Sequence, residues 1–292
     1  MPGDDVTHFG AGAVREIAAR LGVRPTKTWG QNFVIDANTV KRIVRLGEVG
    51  SDDVVVEVGP GLGSLTIALA DAARAVYAVE IDPILAAALP ETLTAYAPSR
   101  AERVHVLAQD ALTLADLPEP PTRLVANLPY NVSVPVVLHL LARFPTLERV
   151  LVMVQLEVAE RLAAPPGSRT YGAPSAKAAW YGEVRLAGTV PRSIFWPVPN
   201  VDSGLVAISR RDPPPTTATP AEVFAVIDAA FAQRRKMLRS ALARVAGTPT
   251  AAAAALESAG LDPTLRGEQL DIAAFARVAA ALHPLVHDWV GT

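Results

Sequence analysis

The sequence contains no cysteine, and its five histidines are scattered without metal-ligand spacing. Disulfides, thiolate metal sites and cysteine nucleophiles are therefore excluded, which fits a reducing compartment. No apolar run reaches the roughly 18 residues of a membrane span, and the opening residues lack the apolar core of a signal peptide. We therefore expect a soluble cytoplasmic protein that uses no metal ion.

The sequence also lacks a strong excess of positive or of negative charge. The formal net charge is −2, and half of the 292 residues are apolar. Such a chain is globular, and it is long enough for one large α/β domain and a smaller second domain. A near-neutral chain is not a non-specific nucleic-acid coat, so any contact with nucleic acid must come from local patches.

From about residue 54, short β-branched runs alternate with helical stretches. Continuous apolar strands separated by helices predict a mostly parallel sheet covered on both faces. The predicted strands are 54–58, 75–81, 104–108, 123–126 and 149–155. Residues 183–190 and 203–209 predict antiparallel strands at the edge of this sheet.

The domain organisation follows from the predicted helices and from a proline-rich segment. Short helices are predicted at about 12–22 and 36–49. "RDPPPTTATP" (211–220) is typical of a linker, and the alanine-rich remainder has apolar residues at helical spacing. We predict an N-terminal extension (1–26), a catalytic domain (27–211), a linker (212–220) and a small all-α domain (221–292).

A glycine-rich turn follows the first strand of the sheet. In "VEVGPGLGSLT", Gly59, Gly61 and Gly63 allow a tight turn and a close approach of the backbone to a ligand. Because Ser64 replaces the last glycine of a dinucleotide fingerprint, the spacing indicates S-adenosylmethionine rather than a dinucleotide. If the glycines are considered alone, the alternative interpretation is an ordinary turn between a strand and a helix that binds no ligand.

Polar side chains follow the next three strands. Glu80 is placed to accept hydrogen bonds from ribose hydroxyls, and Asp110 from an adenine amino group. Asn127 ends the fourth strand, so four strands end in a glycine or a polar residue where open α/β sheets bind ligands. Taken singly, Glu80 or Asp110 is better explained as a helix N-cap, and only the combination at these spacings favours the ligand site.

The stretch "VANLPYNVSVP" (125–135) ends a buried strand on Asn127. Pro129 fixes its own φ and restricts Leu128, so two carbonyls are held in a preset direction. The Asn127 side-chain oxygen and the Leu128 carbonyl could then accept the hydrogens of an exocyclic amine, while Tyr130 offers a stacking face. A proline-terminated strand with a packing tyrosine is the structural alternative.

A second aromatic stretch, "IFWPVPNVDSGLV" (194–206), predicts a stiff wall for a base extruded from its stack. Pro197 and Pro199 stiffen it, and Phe195 and Trp196 supply flat apolar surface. An edge loop with ordinary core aromatics explains the same residues.

In order along the chain, "GQNF" (30–33), "EVGPGLGSLT", "VEID", "NLPYNVS", "FWPVPNVDS" and "FAQRRKMLRSAL" (231–242) resemble the KsgA-type ribosomal RNA adenine dimethyltransferases. The resemblance runs from about Lys27 to about Leu282. It implies a Rossmann-like S-adenosylmethionine-dependent fold and dimethylation at N6 of two adjacent adenosines, in a hairpin loop near the 3′ end of small-subunit ribosomal RNA. By resemblance, the cofactor contacts are Asn32, Val34, Gly59, Glu80, Asp110 and Asn127, and the residues facing the amine are Asn127, Leu128 and Tyr130.

The strongest local charge lies in "QRRKMLRSAL", which we predict to form one helix. Phosphate binding and a solvated helix face explain this run equally well. If it binds RNA, the substrate contacts are Tyr130, Phe195 and Pro197 with the cations Arg234, Arg235, Lys236 and Arg239. The partner implied is ribosomal RNA within a pre-assembled small subunit, bound by a monomer.

Three alternatives compete with this function. A large-subunit ribosomal RNA methylase of the macrolide-resistance type shares the motifs, and the C-terminal basic stretch favours the small-subunit enzyme over it. A ribosome-assembly or transcription factor could keep the fold without catalysis, but it would not need Glu80, Asp110 and "NLPY" together. An NAD-dependent oxidoreductase conflicts with the glycine spacing.

Overall fold

A computed structural model of the protein describes residues 6–22 and 32–283. Residues 23–31, which include Gly30 and Gln31 of the "GQNF" motif, therefore lie outside the described residues, as do residues 1–5 of the predicted N-terminal extension and residues 284–292 of the predicted C-terminal domain. The chain divides into two compact units. Unit 1 comprises residues 1–160 and 184–210, and unit 2 comprises residues 161–183 and 211–292.

The described ranges contain nine strands and twelve α-helices. The strands are β1 Phe33–Val34, β2 Val54–Val58, β3 Ala75–Glu80, β4 Val104–Ala108, β5 Arg123–Asn127, β6 Arg149–Gln155, β7 Gly182–Val190, β8 Phe195–Trp196 and β9 Ser203–Arg210. The helices are α1 Ala11–Arg20, α2 Ala37–Leu46, α3 Ser64–Ala72, α4 Pro83–Tyr96, α5 Ser133–Arg143, α6 Leu156–Leu162, α7 Ala173–Tyr181, α8 Pro220–Ala232, α9 Leu238–Ala241, α10 Ala243–Ala246, α11 Pro249–Ser258 and α12 Ile272–Leu282. In these residues, no helix is long and apolar enough to cross a membrane.

Seven strands form one sheet in the order β4-β3-β2-β5-β6-β9-β7. The first five strands are parallel to one another, and β9 runs antiparallel to β6. Every residue of β2 is buried, as a strand covered on both faces requires. The predicted mostly parallel sheet, with added edge strands, is confirmed.

The strand order reverses between β2 and β5. From β2 the chain proceeds outward through β3 and β4, then returns to place β5 on the other side of β2. Helices at such a point diverge and leave a crevice beyond the carboxyl ends of the two strands. The fold therefore brings the glycine turn after β2 and Asn127 at the end of β5 to the same crevice.

A short ladder ties an early segment to a late one. β1 pairs antiparallel with β8, so that Phe33 lies opposite Trp196 and Val34 opposite Phe195. The hydroxyl of Ser64, at the start of α3, donates to the Val34 carbonyl oxygen over 2.8 Å. Residues 32–34 are thereby held against the beginning of α3.

The helices of unit 2 surround their own apolar core, which includes Val223, Ile227, Leu238, Leu242 and Phe275. Residues 161–183, which the sequence places in the catalytic domain, group with these helices. The Tyr171 hydroxyl, for example, donates to the Leu270 carbonyl oxygen over 2.9 Å. The boundary drawn from the proline-rich linker did not anticipate this segment, because its contacts are distant in sequence.

The basic stretch of unit 2 is not one helix, and that prediction is wrong. Helix α8 ends at Ala232 and α9 begins at Leu238. The amides of Leu238 and Arg239 donate to the carbonyls of Leu265 (2.7 Å) and Pro263 (3.2 Å) instead of continuing the helix. We call residues 233–237 the basic turn.

Candidate active site

The turn after β2 depends on left-handed glycines. Gly59, Gly61 and Gly63 have φ angles of 70°, 58° and 95°. At Gly61 a Cβ atom would also lie 3.0 Å from the ring of Phe33, so no other residue fits without rearrangement. The turn passes directly into α3, whose N-cap is Gly63.

Glu80 holds this turn from the neighbouring strand. Its carboxylate accepts from the Gly61 amide and from the Asp82 amide, each over 3.0 Å. Burial raises the pKa of Glu80, while these two amides act in the opposite direction by stabilising the charged form. Each carboxylate oxygen can accept more than one hydrogen bond, so Glu80 can also receive donors from a ligand.

Asp110 lies beyond the end of β4. Its Oδ1 accepts from the Leu112 amide over 2.9 Å, which starts a short 3₁₀ turn. Its Oδ2 accepts no hydrogen bond from the residues that the structure describes, and is therefore available to a ligand.

Asn127 has a fixed carboxamide. Its Nδ2 donates to the Asn32 carbonyl oxygen over 3.0 Å, so its Oδ1 is left to face the crevice. The Leu128 amide donates to the Met153 carbonyl over 3.0 Å, which extends the ladder one residue past β5. Within the described ranges, neither Asn127 Oδ1 nor the Leu128 carbonyl accepts a hydrogen bond.

Tyr130 is half-buried, and its hydroxyl lies 3.0 Å from the hydroxyl of Ser203. Burial raises the pKa of Tyr130, and the nearby Asp202 charge adds to the shift. The phenol is therefore neutral at ordinary pH, and the hydrogen bond fixes its position.

One cavity unites most of the predicted residues. It is lined by Asn32, Val34, Gly59, Gly61, Glu80, Asp110, Asn127, Leu128, Pro129 and Tyr130. Gly63 is not part of its lining, since it serves the entry into α3.

The predicted wall for the target base is wrong at Phe195. This ring is 1% exposed, because β8 pairs with β1 and turns the side chain into the core between the sheet and α2. Trp196 stacks on Phe33 with ring centroids 6.3 Å apart. Pro197 follows a cis peptide bond and does not line the cavity.

The cavity is also lined by residues that were not predicted as site residues, and three of them bear directly on ligand binding. Ile81 and Leu112 remain 47% and 37% exposed, and offer apolar surface beside Glu80 and Asp110. Each directly follows or closely follows a predicted polar residue, a signal that could have identified them.

Glu57 is the third missed residue. It is 1% exposed within β2, and its Oε2 has no hydrogen-bond partner in the described part of the chain. Burial raises its pKa to about 8, with a further contribution from the Glu80 charge. The sequence does mark this residue, because Glu57 is the one charged residue in the apolar run "VVVEV".

The four cations of the C-terminal stretch differ in their surroundings. Arg234 pairs with Glu268 over 2.9 Å and donates to the Arg169 carbonyl oxygen over 2.6 Å, so it is held within unit 2. Arg235 and Lys236 are exposed and have no carboxylate partner among residues 6–22 and 32–283. Arg239 lies beyond the basic turn, in α9.

No group of three histidine, aspartate or glutamate side chains that could hold a metal ion occurs in the described segments.

The family model for ribosomal RNA adenine dimethylase matches residues 23–283 of the chain. Ribosomal RNA small subunit methyltransferase A of Thermobifida fusca is 67% identical over 267 residues, which cover 91% of this chain and 93% of the relative. The protein of the same name from Paenarthrobacter aurescens is 61% identical and covers 95% and 94%.

Two solved structures share the fold. The 23S ribosomal RNA methyltransferase ErmE has a TM-score of 0.65 at 30% identity, covering 86% of this chain and all of that one. A dimethyladenosine transferase from Plasmodium falciparum has a TM-score of 0.72 at 21% identity, covering 84% and 95%.

The buried carboxyl of Glu57 predicts a pH-dependent stability. In the unfolded chain it ionises near its ordinary pKa of 4.5, and in the fold near 8. Between these values unfolding releases a proton, so this group lowers stability as pH rises from about 5 to 8, by a few kcal/mol. Urea unfolding of Glu57→Gln should therefore show a weaker decline over this range than the wild type. Parallel pH curves would contradict the assignment.

Proposed function

The chain belongs to the ribosomal RNA adenine dimethylase family, and on that premise we propose that it methylates N6 of two adjacent adenosines near the 3′ end of small-subunit ribosomal RNA. The methyl donor is S-adenosylmethionine, and the product is N6,N6-dimethyladenosine, formed during ribosome biogenesis. The observation that carries the proposal is the Asn127–Leu128 junction, where two oxygens are positioned and left without a hydrogen-bond partner among the described residues.

The cavity suits the cofactor. Glu80 would receive the ribose hydroxyls and Asp110 Oδ2 the adenine amino group, with Ile81 and Leu112 against the ring. The Glu57 carboxyl, neutral below its raised pKa, adds a polar group with an unpartnered oxygen to the same cavity. When bound, S-adenosylmethionine supplies an electrophilic methyl group on a positively charged sulfur.

The protein's contribution to methyl transfer is to orient the amine. The lone pair of adenine N6 is delocalised into the ring, so the nitrogen is a poor nucleophile. Acceptance of its two hydrogens by Asn127 Oδ1 and the Leu128 carbonyl favours a pyramidal nitrogen whose lone pair can face the methyl group. Neither oxygen is a strong base, so these groups position and polarise the amine, and the N6 proton leaves to water after the new C–N bond has made the nitrogen cationic.

Tyr130 supplies the stacking surface for the target base. Its ring borders the cavity, and the Ser203 hydroxyl holds it in place. Stacking of a base on an aromatic ring contributes about 1–3 kcal/mol. A base within a duplex could not reach this position, so the adenosine must be extruded from its loop. Because Phe195 is buried, Tyr130 acts here without that ring.

The alternatives fit less well. The higher identity to enzymes named for the small subunit favours that substrate over the large-subunit RNA. A non-catalytic assembly factor would not require the positioned oxygens of Asn127 and Leu128. We also propose that the protein acts in the cytoplasm, as a monomer, on a pre-assembled small subunit.

The function is tested by methyl transfer from labelled cofactor to purified, undermethylated small subunits and, in a separate reaction, to large subunits. Primer extension on both ribosomal RNAs should locate the modification at two adjacent adenosines of the small-subunit RNA. Modification of the large-subunit RNA instead would establish the alternative activity.

Glu80→Ala should weaken S-adenosylmethionine binding by about 1–3 kcal/mol, because the ribose hydroxyls lose an acceptor in a partly buried site. It should also lower the melting temperature, since the amides of Gly61 and Asp82 lose theirs. Calorimetric titration with the cofactor measures the first effect. Glu80→Gln, which keeps one acceptor oxygen, should lose less affinity. Unchanged affinity in both variants would remove Glu80 from the cofactor site.

Asn127→Ala should slow methyl transfer by roughly 10²–10³-fold, by analogy with the loss of one preorganised polar contact to a transition state. Asn127→Asp is the matched variant, because its carboxylate cannot donate to the Asn32 carbonyl and should misplace the acceptor oxygen. Single-turnover rates at saturating cofactor are the measurement. Retention of most activity in both would show that another group orients the amine.

Neutralising Arg235 and Lys236 together should weaken binding to the small subunit. The slope of log affinity against log salt should fall by roughly 1–2 units, about one per lost phosphate contact. Arg234→Gln is the control, because Arg234 is paired with Glu268. It should lower the melting temperature and leave the salt slope unchanged. An unchanged slope in the double variant would contradict the RNA contact.

A further inference from the structure

A second cavity of unit 1 has no part in the proposed mechanism. It is an open groove of about 440 Å³ between the start of α6 and residues 192–202. Its volume lies within the range of about 300–1,000 Å³ that is usual for small-molecule sites. The lining residues that matter here are Gln155, Leu156, Arg192, Asn200, Val201 and Asp202.

The groove lies next to Tyr130. Gln155, the last residue of β6, stands opposite Ser203 in the β6–β9 ladder. The Ser203 hydroxyl is the hydrogen-bond partner of Tyr130, whose ring borders the cofactor cavity. Asp202, the residue before Ser203, lines the groove. The two cavities are therefore separated by the tyrosine and its partner.

The loop that forms one side of the groove is fixed by its own hydrogen bonds. The Arg192 amide donates to Asp202 Oδ1 over 2.9 Å, and Arg192 Nη1 donates to the Asn200 carbonyl oxygen over 3.3 Å. The Asp202 carbonyl oxygen accepts from the Leu156 amide over 3.0 Å. A loop held in this way offers a preformed surface and not one that must order on binding.

Two carboxamides in the groove are available. The side chains of Gln155 and Asn200 make no hydrogen bond with the residues that the structure describes. A carboxamide both donates and accepts, and can pair with the N6 and N7 edge of adenine. Leu156 and the 44% exposed Val201 add apolar surface of the kind on which a base can lie.

The charges of the groove favour a base over a phosphate. Glu160 and Asp202 line it and would repel the RNA backbone, whereas Arg192 is its one cationic lining residue among those described. Carboxylates accept from exocyclic amino groups, so they suit an amino-bearing base. Single-stranded RNA presents such edges when neighbouring bases are unstacked.

We propose that this groove is a subsite for the adenine that adjoins the methylated adenosine, recognised through its amino group by Gln155 and Asn200. The subsite rests on the proposed function, since it needs an RNA substrate with two adjacent adenosines. It would select the adenosine that is methylated first: this base enters the cavity while its unmethylated neighbour occupies the groove.

The test uses small subunits reconstituted around RNA in which either adenosine is replaced by purine riboside, which lacks the exocyclic amine. Methylation of the remaining adenosine is measured for the wild type, Gln155→Ala and Asn200→Ala. For the wild type, kcat/KM should fall roughly 5- to 100-fold with at least one substituted substrate. With Gln155→Ala or Asn200→Ala, replacing the same adenosine by purine riboside should lower kcat/KM little further.

Asn38→Ala provides the control, because Asn38 is an exposed carboxamide on α2, outside the groove. It should respond to the substituted RNA as the wild type does. Melting temperature and cofactor affinity establish that the variants are folded, and Asn200→Ala, on an exposed loop, serves if Gln155→Ala does not fold.

Two failures are distinguishable. If the wild type does not methylate unsubstituted small subunits, the proposed function is contradicted. If it does, and the substituted RNA is methylated equally well or is impaired to the same extent in the wild type and both variants, the subsite alone is contradicted.

Discussion

The hydrogen bond from Asn127 Nδ2 to the Asn32 carbonyl decides which end of the carboxamide faces the cavity. Without it, the amide could rotate and present a donor to an amine that needs acceptors. The bond exists only because residues 32–34 are themselves held, by the β1–β8 ladder and by the Ser64 hydroxyl. One 3.0 Å contact thus depends on three segments that are far apart in sequence.

Two carboxyls of the cavity, Glu57 and Glu80, are buried, and burying them lowers the stability of the fold. Glu80 accepts hydrogen bonds from two backbone amides, which offset part of the cost of burying its charge. Glu57 is buried with an unpaired oxygen, and its charged form is disfavoured. Unpaired buried polar groups reduce folding stability and occur where function needs them. The unpaired Glu57 oxygen borders the proposed cofactor cavity, although Glu57 lies inside a strand.

The sequence predicted those features that depend on local rules. Glycines ended β2 and polar residues ended the next three parallel strands, and parallel strands bring their carboxyl ends to one edge. Phe195 was misassigned because its burial depends on pairing with Val34, a contact 161 positions away. The break in the basic stretch was missed because the competing acceptors, Leu265 and Pro263, lie in a distant loop.

Charge explains why substrate and cofactor contacts are built differently. Glu80 and Asp110 give the cavity acidic side chains that favour a positively charged cofactor over phosphates, whereas the raised pKa of Glu57 keeps that carboxyl neutral at pH 7. Cations that contact RNA must then lie where no carboxylate neutralises them. The basic turn leaves Arg235 and Lys236 exposed, whereas Arg234 is paired with Glu268. On the proposed function, a chain with a net charge of −2 would bind RNA through a few unpaired cations without attracting it along the whole surface.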